Sequence, residues 1–476
     1  MEKSISKCYK LVLLLVILIA IGGCTNKVDI PSSEYINASE STIDDNSTSN
    51  NVAVDKKVTL KLYSFDASKS LINSIEKYNM LNKNVFVELV VFNDHEKLYT
   101  TLNTELMGGG GPDIFELFTK HVIHKNKSPF IVDINRYIEN DPDFDLASYN
   151  YQIIKAYEFN NQQYAMPIYA RFIMMGINND SLISVEEGFV EKETISYFDM
   201  LEYYAALPKK DDFYLEKDFD LPQIISKDDY VDYFTMTSSF NSEAFIDILN
   251  ISKDAREASR QFNASGGYDA NSSLLEASLK DRFMFFSIRP YFDYIYFMPR
   301  EEPYLSYEYA ASENIYSEFK PIGNAKGEVL LHSPGYAMNA NSKNQDAAWD
   351  FLKFMISEDA CEGMDFSYNF DFYVNKSVTE DSFKKALETY IFQYDSAYSN
   401  LPGIALSNAS LTDEKKTAIQ KAWEDAKMIM ELPMKKKLDF AIENSNDILE
   451  SFVNGHISAE QVAGELNNKV QIYINE

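Results

Sequence analysis

LNTELMGGGGPDIFELF, residues 102–118, decides how the chain is read. Four glycines in a row often cradle a phosphate. Such loops lead from a strand into the start of a helix, where free N–H groups point at the anion. Here the order is reversed. The preceding NDHEKLYTTLNTELM opens with Asn93 and Glu96 at capping-box spacing, then repeats leucine on one helical face at Leu98, Leu102 and Leu106. The following DIFEL, residues 113–117, is a short apolar strand. The glycines therefore close a helix: glycine accepts the left-handed C-cap, and Pro112 blocks further turns. No Lys-Ser/Thr pair follows, so a nucleotide loop is not expected.

Working outward, VTLKLYSF (58–65) alternates as a strand, SKSLINSIEKYNML has helical spacing, and VFVELVVF (85–92) is a second strand. Strand–helix–strand–helix–strand implies a parallel sheet with helices packed on it. In such sheets ligands sit beyond the carboxyl ends of the strands. That rule selects 63–66, 92–94 and 116–118, which bring rings together with carboxylates and amides. Downstream, TISYFDMLEYYAAL predicts a helix capped near Ser196, and residues 278–299 are dense in aromatics. Ala348, Leu352 and Met355 share a helical face. Ser458 and Gln461 form a capping box for a last helix with a Val462, Leu466, Val470 and Tyr473 stripe.

The chain has 476 residues, 45% of them hydrophobic, enough for two or more lobes. A formal net charge of -29 repels nucleic acid and anionic lipid, so no nucleic-acid partner is expected. Cys8, Cys24 and Cys361 share no metal or redox spacing, so neither a disulfide framework nor a zinc site is expected.

Lys3, Lys7 and Lys10 precede the apolar run 11–21, and Gly22-Gly23 stand before Cys24. A basic start, a short apolar core and small residues make a secretory signal over residues 1–23; the run is too short to span a bilayer. IGGC resembles a bacterial lipobox, which implies a lipidated Cys24. Residues 24–56 are rich in Ser, Asn, Asp and Thr, a disordered tether reaching about 30 Å from the membrane.

Taken in order, TLNTELMGGGGPDIFEL, NQQYAMPIYARFIMMGINNDSL, TISYFDMLEYYAAL, GYAMNANSKNQDAAWDFLKFMISEDA and FYVNKSV resemble family 1 extracellular solute-binding proteins, the sugar receptors of bacterial ABC importers. The resemblance runs from about Val58 to the C-terminus. It implies a two-lobed, periplasmic-binding-protein-like α/β fold with the ligand in an interlobe cleft. One lobe would hold 57–171 and 318–371, the other 172–317 and 372–476, with crossings near Arg171, Glu318 and Phe372. The implied function is capture of a carbohydrate, an oligosaccharide above all, for an import permease, by a monomer lipid-anchored on the outer face of the cell membrane, with no catalysis and no cofactor. Three features depart from the family pattern. Trp349 and Trp423 lie in helices and read as packing residues, the turn before Tyr-Ala-Met-Pro is NNQQ, and Tyr373 replaces proline.

A sugar has apolar C–H faces and a hydroxyl rim, so its site needs aromatic rings with paired Asp, Glu, Asn or Arg. The candidates are Tyr63, Phe65 and Glu116 at strand ends, Tyr169 and Arg171 at a crossing, Arg289, Tyr291 and Tyr294 in the aromatic run, and Tyr336 beside Gly335. DPDFD (141–145) imitates a calcium loop, but Leu146 and Gln152 stand where glycine and glutamate are required. His121 and His124 have no third ligand nearby. Two alternatives remain open at this point: a surface carbohydrate-active enzyme, and a receptor for a non-sugar solute such as a peptide.

Overall fold

The computed structural model describes residues 57–65, 67–118, 128–172, 174–177, 192–206, 213–215, 229–232, 235–264, 283–288, 318–361, 372–385, 388, 413, 417, 420–421, 424, 427–437 and 445–475. Cys24, His121, His124, Arg289, Tyr291, Tyr294 and Trp423 lie outside the described residues. Among the described residues no helix is long and apolar enough to cross a membrane.

The first sheet begins as the sequence predicts. Strand β1 (Val58–Ser64) pairs in parallel with β2 (Val85–Val91) along its whole length, Val58 opposite Val85 and Ser64 opposite Val91. Strand β3 (Ile114–Glu116) lies parallel on the other side of β1. Leu60 and Leu62 alternate inward and are fully buried, as are Ile114 and Phe115. Burying each such side chain stabilises the fold by roughly 1.5–3 kcal/mol. Helices α1 (Lys69–Leu81) and α2 (His95–Met107) connect these strands, and α2 buries the expected Leu98, Leu102 and Leu106.

The glycine run closes α2 with a complete Schellman motif. Gly109 sits at φ 76°, its N–H donates to Leu106 O, and Gly110 N–H donates to Glu105 O. The N-cap differs from expectation. Asp94, one residue beyond Asn93, accepts the Lys97 N–H at 2.8 Å. The strand pairing explains the shift, because Phe92 N–H still bonds Ser64 O and the helix can begin only after it.

The sheet is mixed, not purely parallel. Strand β11 (Gly335–Met338) enters antiparallel to β3 and carries β4 (Met166–Pro167) on its far side, giving the order β2-β1-β3-β11-β4. Residues 230 apart are locked here. Asp113 Oδ2 accepts the Lys61 N–H, while Oδ1 accepts Ser342 Oγ and Asn344 Nδ2. Asn339 Nδ2 donates to both Gly110 O and Pro112 O. The Pro-Asp and Asn-Ser-Lys-Asn segments thus form one structure.

Beyond β4, the short β5 (Tyr169–Ala170) pairs with β12 (Phe372–Tyr373). Next, β6 (Met174–Ile177) joins a four-stranded sheet of order β9-β6-β8-β7, where β7 is Phe213–Leu215, β8 Phe283–Ile288 and β9 Glu318–Pro321. The chain passes between the sheets around Arg171, and again between Pro321 and Gly335. The strand opened by Glu318 is still in the second sheet, so this return lies later than the expected crossing near Glu318. Within that return, β10 (Val329–Leu331) pairs with β13 (Met434–Lys436).

Helix α3 (Tyr197–Ala206) has the Ser196 cap predicted for it: Ser196 N–H donates to Asp199 Oδ2 and Asp199 N–H to Ser196 Oγ. Helix α4 is Glu243–Ala264 and α5 is Gln345–Met355, the latter burying Ala348, Leu352 and Met355 as expected. After α6 (Glu358–Cys361) and α7 (Ser445–Val453) comes α8 (Ala459–Asn475), capped reciprocally by Ser458 and Gln461. Its stripe buries Val462, Leu466 and Val470, with Tyr473 partly covered.

Candidate ligand-binding site

The carboxyl ends of β1 and β3 meet through a glutamate. Glu116, the last residue of β3, accepts the Ser64 hydroxyl and the Phe65 N–H on its Oε2, both at 2.9 Å. One carboxylate therefore fixes where Phe65 leaves the sheet. Hydrogen bonds to a charged acceptor contribute roughly 1.5–3 kcal/mol each.

Phe65 then carries the His95 imidazole flat against its ring, with centroids 3.3 Å apart and planes 18° apart. Phe118, two residues past β3, meets His95 at 5.9 Å and 89°, and Tyr99 meets Phe118 at 6.0 Å. His95 and Tyr99 are four apart on the first turns of α2, so they share a helix face. Phe65, Tyr99 and Phe118 are half-buried and His95 is exposed. The result is a partly exposed wall of rings at the strand ends, with Glu116 beneath it.

Tyr63 stands beside this wall. Its ring lies 5.3 Å from Phe92. Partial burial raises its hydroxyl pKa, and Glu105 on α2, which accepts from it, raises it further. Sequence reasoning selected Phe65, Glu116 and Phe118 at strand ends but passed over His95 and Tyr99. Their signal was present as an i, i+4 pair opening the helix after β2.

The crossing holds a second aromatic group. Arg171 lies 4.6 Å over the Tyr169 ring, and Tyr169 packs edge-on to Tyr373 at 6.3 Å. Phe172 stacks on Phe372 at 5.0 Å. Tyr373, at the family's proline position, is buried, and its carbonyl accepts from Asn150 and Thr379.

Tyr169 and Tyr336 are 4% and 2% exposed, so both rings are packing groups in this conformation. For Tyr336 the reason is register. It lies opposite Glu116 on β3 and opposite Met166 on β4, in the middle of the sheet. Beside it, Tyr157 is fully buried and donates its hydroxyl to Ser333 O at 2.5 Å. Burial pushes the Tyr157 hydroxyl pKa up, against the lowering effect of its bond to Ser333, and the charges of Tyr169 and Glu116 add to the rise.

Trp349 is a packing residue, as read from the sequence. It is buried, donates its indole N–H to Asp141 Oδ2 at 2.7 Å, and packs against Tyr137 and Phe144. Asp141 also pairs with Lys353, and this bond, followed by the indole N–H and the Asp143 N–H, holds its carboxyl pKa below the usual value. Asp145 bonds Ala147 N–H and Ser148 Oγ, so the DPDFD carboxylates serve turns. The NNQQ segment is a two-residue hairpin turn with Asn160 and Asn161 at φ 52° and 61°, the signature of type I′.

The ring-lined strand ends thus lie in an α/β chain whose strands pass between two sheets. The model of the bacterial extracellular solute-binding protein family matches residues 73–389, well over half of the chain, and the chain belongs to that family. It is a solute-binding protein of an ABC transporter, a receptor and not an enzyme. No curated protein matches the sequence. Solved structures similar to it include an ABC substrate-binding protein of Listeria monocytogenes in complex with cycloalternan. The two are 15% identical, with 87% of this chain and 98% of that one covered and a TM-score of 0.47. The sugar-binding protein MalE of Xanthomonas citri is 12% identical, with 88% and 97% covered and a TM-score of 0.49. A family 1 extracellular solute-binding protein of Bifidobacterium longum subsp. infantis is 16% identical, with 87% and 99% covered and a TM-score of 0.45.

Proposed function

We propose that this receptor captures an uncharged carbohydrate, an oligosaccharide, and hands it to the permease of an ABC importer. The observation that carries the reading is the strand-end wall of rings over the Glu116 carboxylate. Rings cover the C–H faces of a pyranose, and a carboxylate accepts from its hydroxyl rim. Phe65 and Glu116 belong to this wall, with Tyr63 beside it and Arg171 at the crossing. Arg289, Tyr291 and Tyr294 complete the proposed site from the second lobe.

In this reading one lobe is built on the first sheet and the other on the second, which keeps Glu318–Pro321, and ligand contacts both only when they close. Binding then shifts the population toward the closed form that docks on the permease. Cys24 carries the lipid that holds the receptor at the outer face of the membrane, on the tether 24–56.

The test is a thermal-shift screen of the full chain in detergent against oligosaccharides, monosaccharides, polyols and peptides. Ligand that binds only the folded state raises the melting midpoint. An oligosaccharide must raise it, saturate at one equivalent and be recovered unchanged by chromatography. A shift with peptides alone would sink the carbohydrate reading. Mass spectrometry of the membrane-extracted protein checks the anchor: the N-terminal fragment must begin at Cys24 and carry the added mass of acyl chains.

A further inference from the structure

His95 has a distinct setting among the described polar residues at the strand ends. Its ring is held on Phe65 at 3.3 Å and against Phe118 at 5.9 Å, yet the residue is exposed. Neither ring nitrogen has a hydrogen-bond partner among the described residues. The neighbouring polar groups are committed: Glu116 Oε2 to Ser64 and Phe65, and Asp94 Oδ1 to Lys97 N–H. The stack has a second consequence. One face of Phe65 is covered by the imidazole, so the group presented to solvent there is His95 and not the phenyl ring that the sequence suggested.

We infer that His95 is a ligand-contacting, specificity-determining residue of this receptor, hydrogen-bonding a hydroxyl of an uncharged ligand while Phe65 and Phe118 hold its ring in place. The inference rests on the carbohydrate reading and deepens it. A neutral imidazole offers one donor and one acceptor, which is the complement of a hydroxyl or of two vicinal ones. The ring is ordered by stacking before ligand arrives, so little rotamer freedom is lost on binding. An anionic ligand is disfavoured at this position. Asp94 and Glu96 flank His95 in the chain, Glu116 reaches the same Phe65, and the whole chain carries a net charge of -29. Phe65 and Phe118 are positioning residues in this scheme.

The experiment uses the full chain in detergent and four probes: maltotriose, cellotriose, xylotriose and raffinose. Calorimetry on the wild type identifies the sugar that binds. That sugar is then titrated into His95→Ala and His95→Asn. The expected result is a loss of at least tenfold in His95→Ala and recovery to within about threefold in His95→Asn, which keeps a donor and an acceptor. A second readout does not depend on the variants' affinities. With 15N-histidine labelling, one of the five imidazoles must shift on saturation of the wild type, and it must be the resonance missing in His95→Ala. A sugar that binds wild type and His95→Ala equally, with no imidazole shift, overturns the inference while the carbohydrate reading stands. Failure of all four sugars to bind the wild type removes that reading and this inference together.

Discussion

Strand β3 ends in two carboxylates with opposite settings. At its amino end, Asp113 has both oxygens engaged, one by the Lys61 N–H of β1 and the other by Ser342 and Asn344. Everything around it is structural: the Schellman turn, the Asn339 amide on two carbonyls, and the start of α5. At the carboxyl end, Glu116 also fixes backbone, but the rings above it remain half-exposed and the His95 nitrogens have no hydrogen-bond partner among the described residues. The amino end is taken up by hydrogen bonds, while the carboxyl end carries half-exposed rings, where the proposed site lies. This is the division expected of sheets whose ligands gather beyond the strand carboxyl ends.

Four substitutions can break or sharpen that contrast. The largest effect is expected at Gly335, whose carbonyl accepts the Leu117 N–H under the ring wall. In Gly335→Ala the new Cβ would fall 2.4 Å from a Tyr157 ring carbon and 3.0 Å from the Ala165 Cβ. Neither neighbour can retreat, so urea unfolding is expected to show a loss of about 3 kcal/mol. Asp113→Ala comes next, with a loss of about 2 kcal/mol from the hydrogen bonds removed, and unchanged ligand affinity in the folded fraction. If affinity fell with stability, the two ends would not be separable.

Glu116→Gln should do the reverse. The amide oxygen can still accept from Ser64 and Phe65, so stability should fall by only about 1 kcal/mol. Affinity for the bound sugar should drop about tenfold by calorimetry, equivalent to about 1.4 kcal/mol. Asp141→Asn is the smallest and lies at neither end. Lys353, then Trp349 and the Asp143 N–H, lower the Asp141 pKa in the folded state. Its stabilisation is therefore complete above the ordinary carboxylate pKa of about 4 and fades as pH falls through the lower folded value. Asp141→Asn should flatten the acid limb of stability against pH by less than about 1 kcal/mol, with no change in binding.

Much of this was legible in the residues. The glycine run read correctly as a helix end because phosphate loops require the opposite order of strand and helix. The Ser458–Gln461 box formed as read. The Asn93–Glu96 box did not, because both Asn93 and Asp94 can cap and Phe92, just past β2, is still tied to Ser64 O of β1. Trp349 read correctly as packing because its helical stripe left no other place for it. Tyr336 read as a site candidate from its neighbouring glycine, yet that glycine is required by the Tyr157 ring, a contact across 178 positions of sequence.

By itself the sequence determined the elements of the first sheet and their order, since these follow from local periodicity and turn chemistry. Only the tertiary structure decided that the His95 ring lies over Phe65. Phe65 and His95 are thirty residues apart, and no local pattern says that one will lie flat on the other; that depends on where two strand ends and one helix start come to rest together.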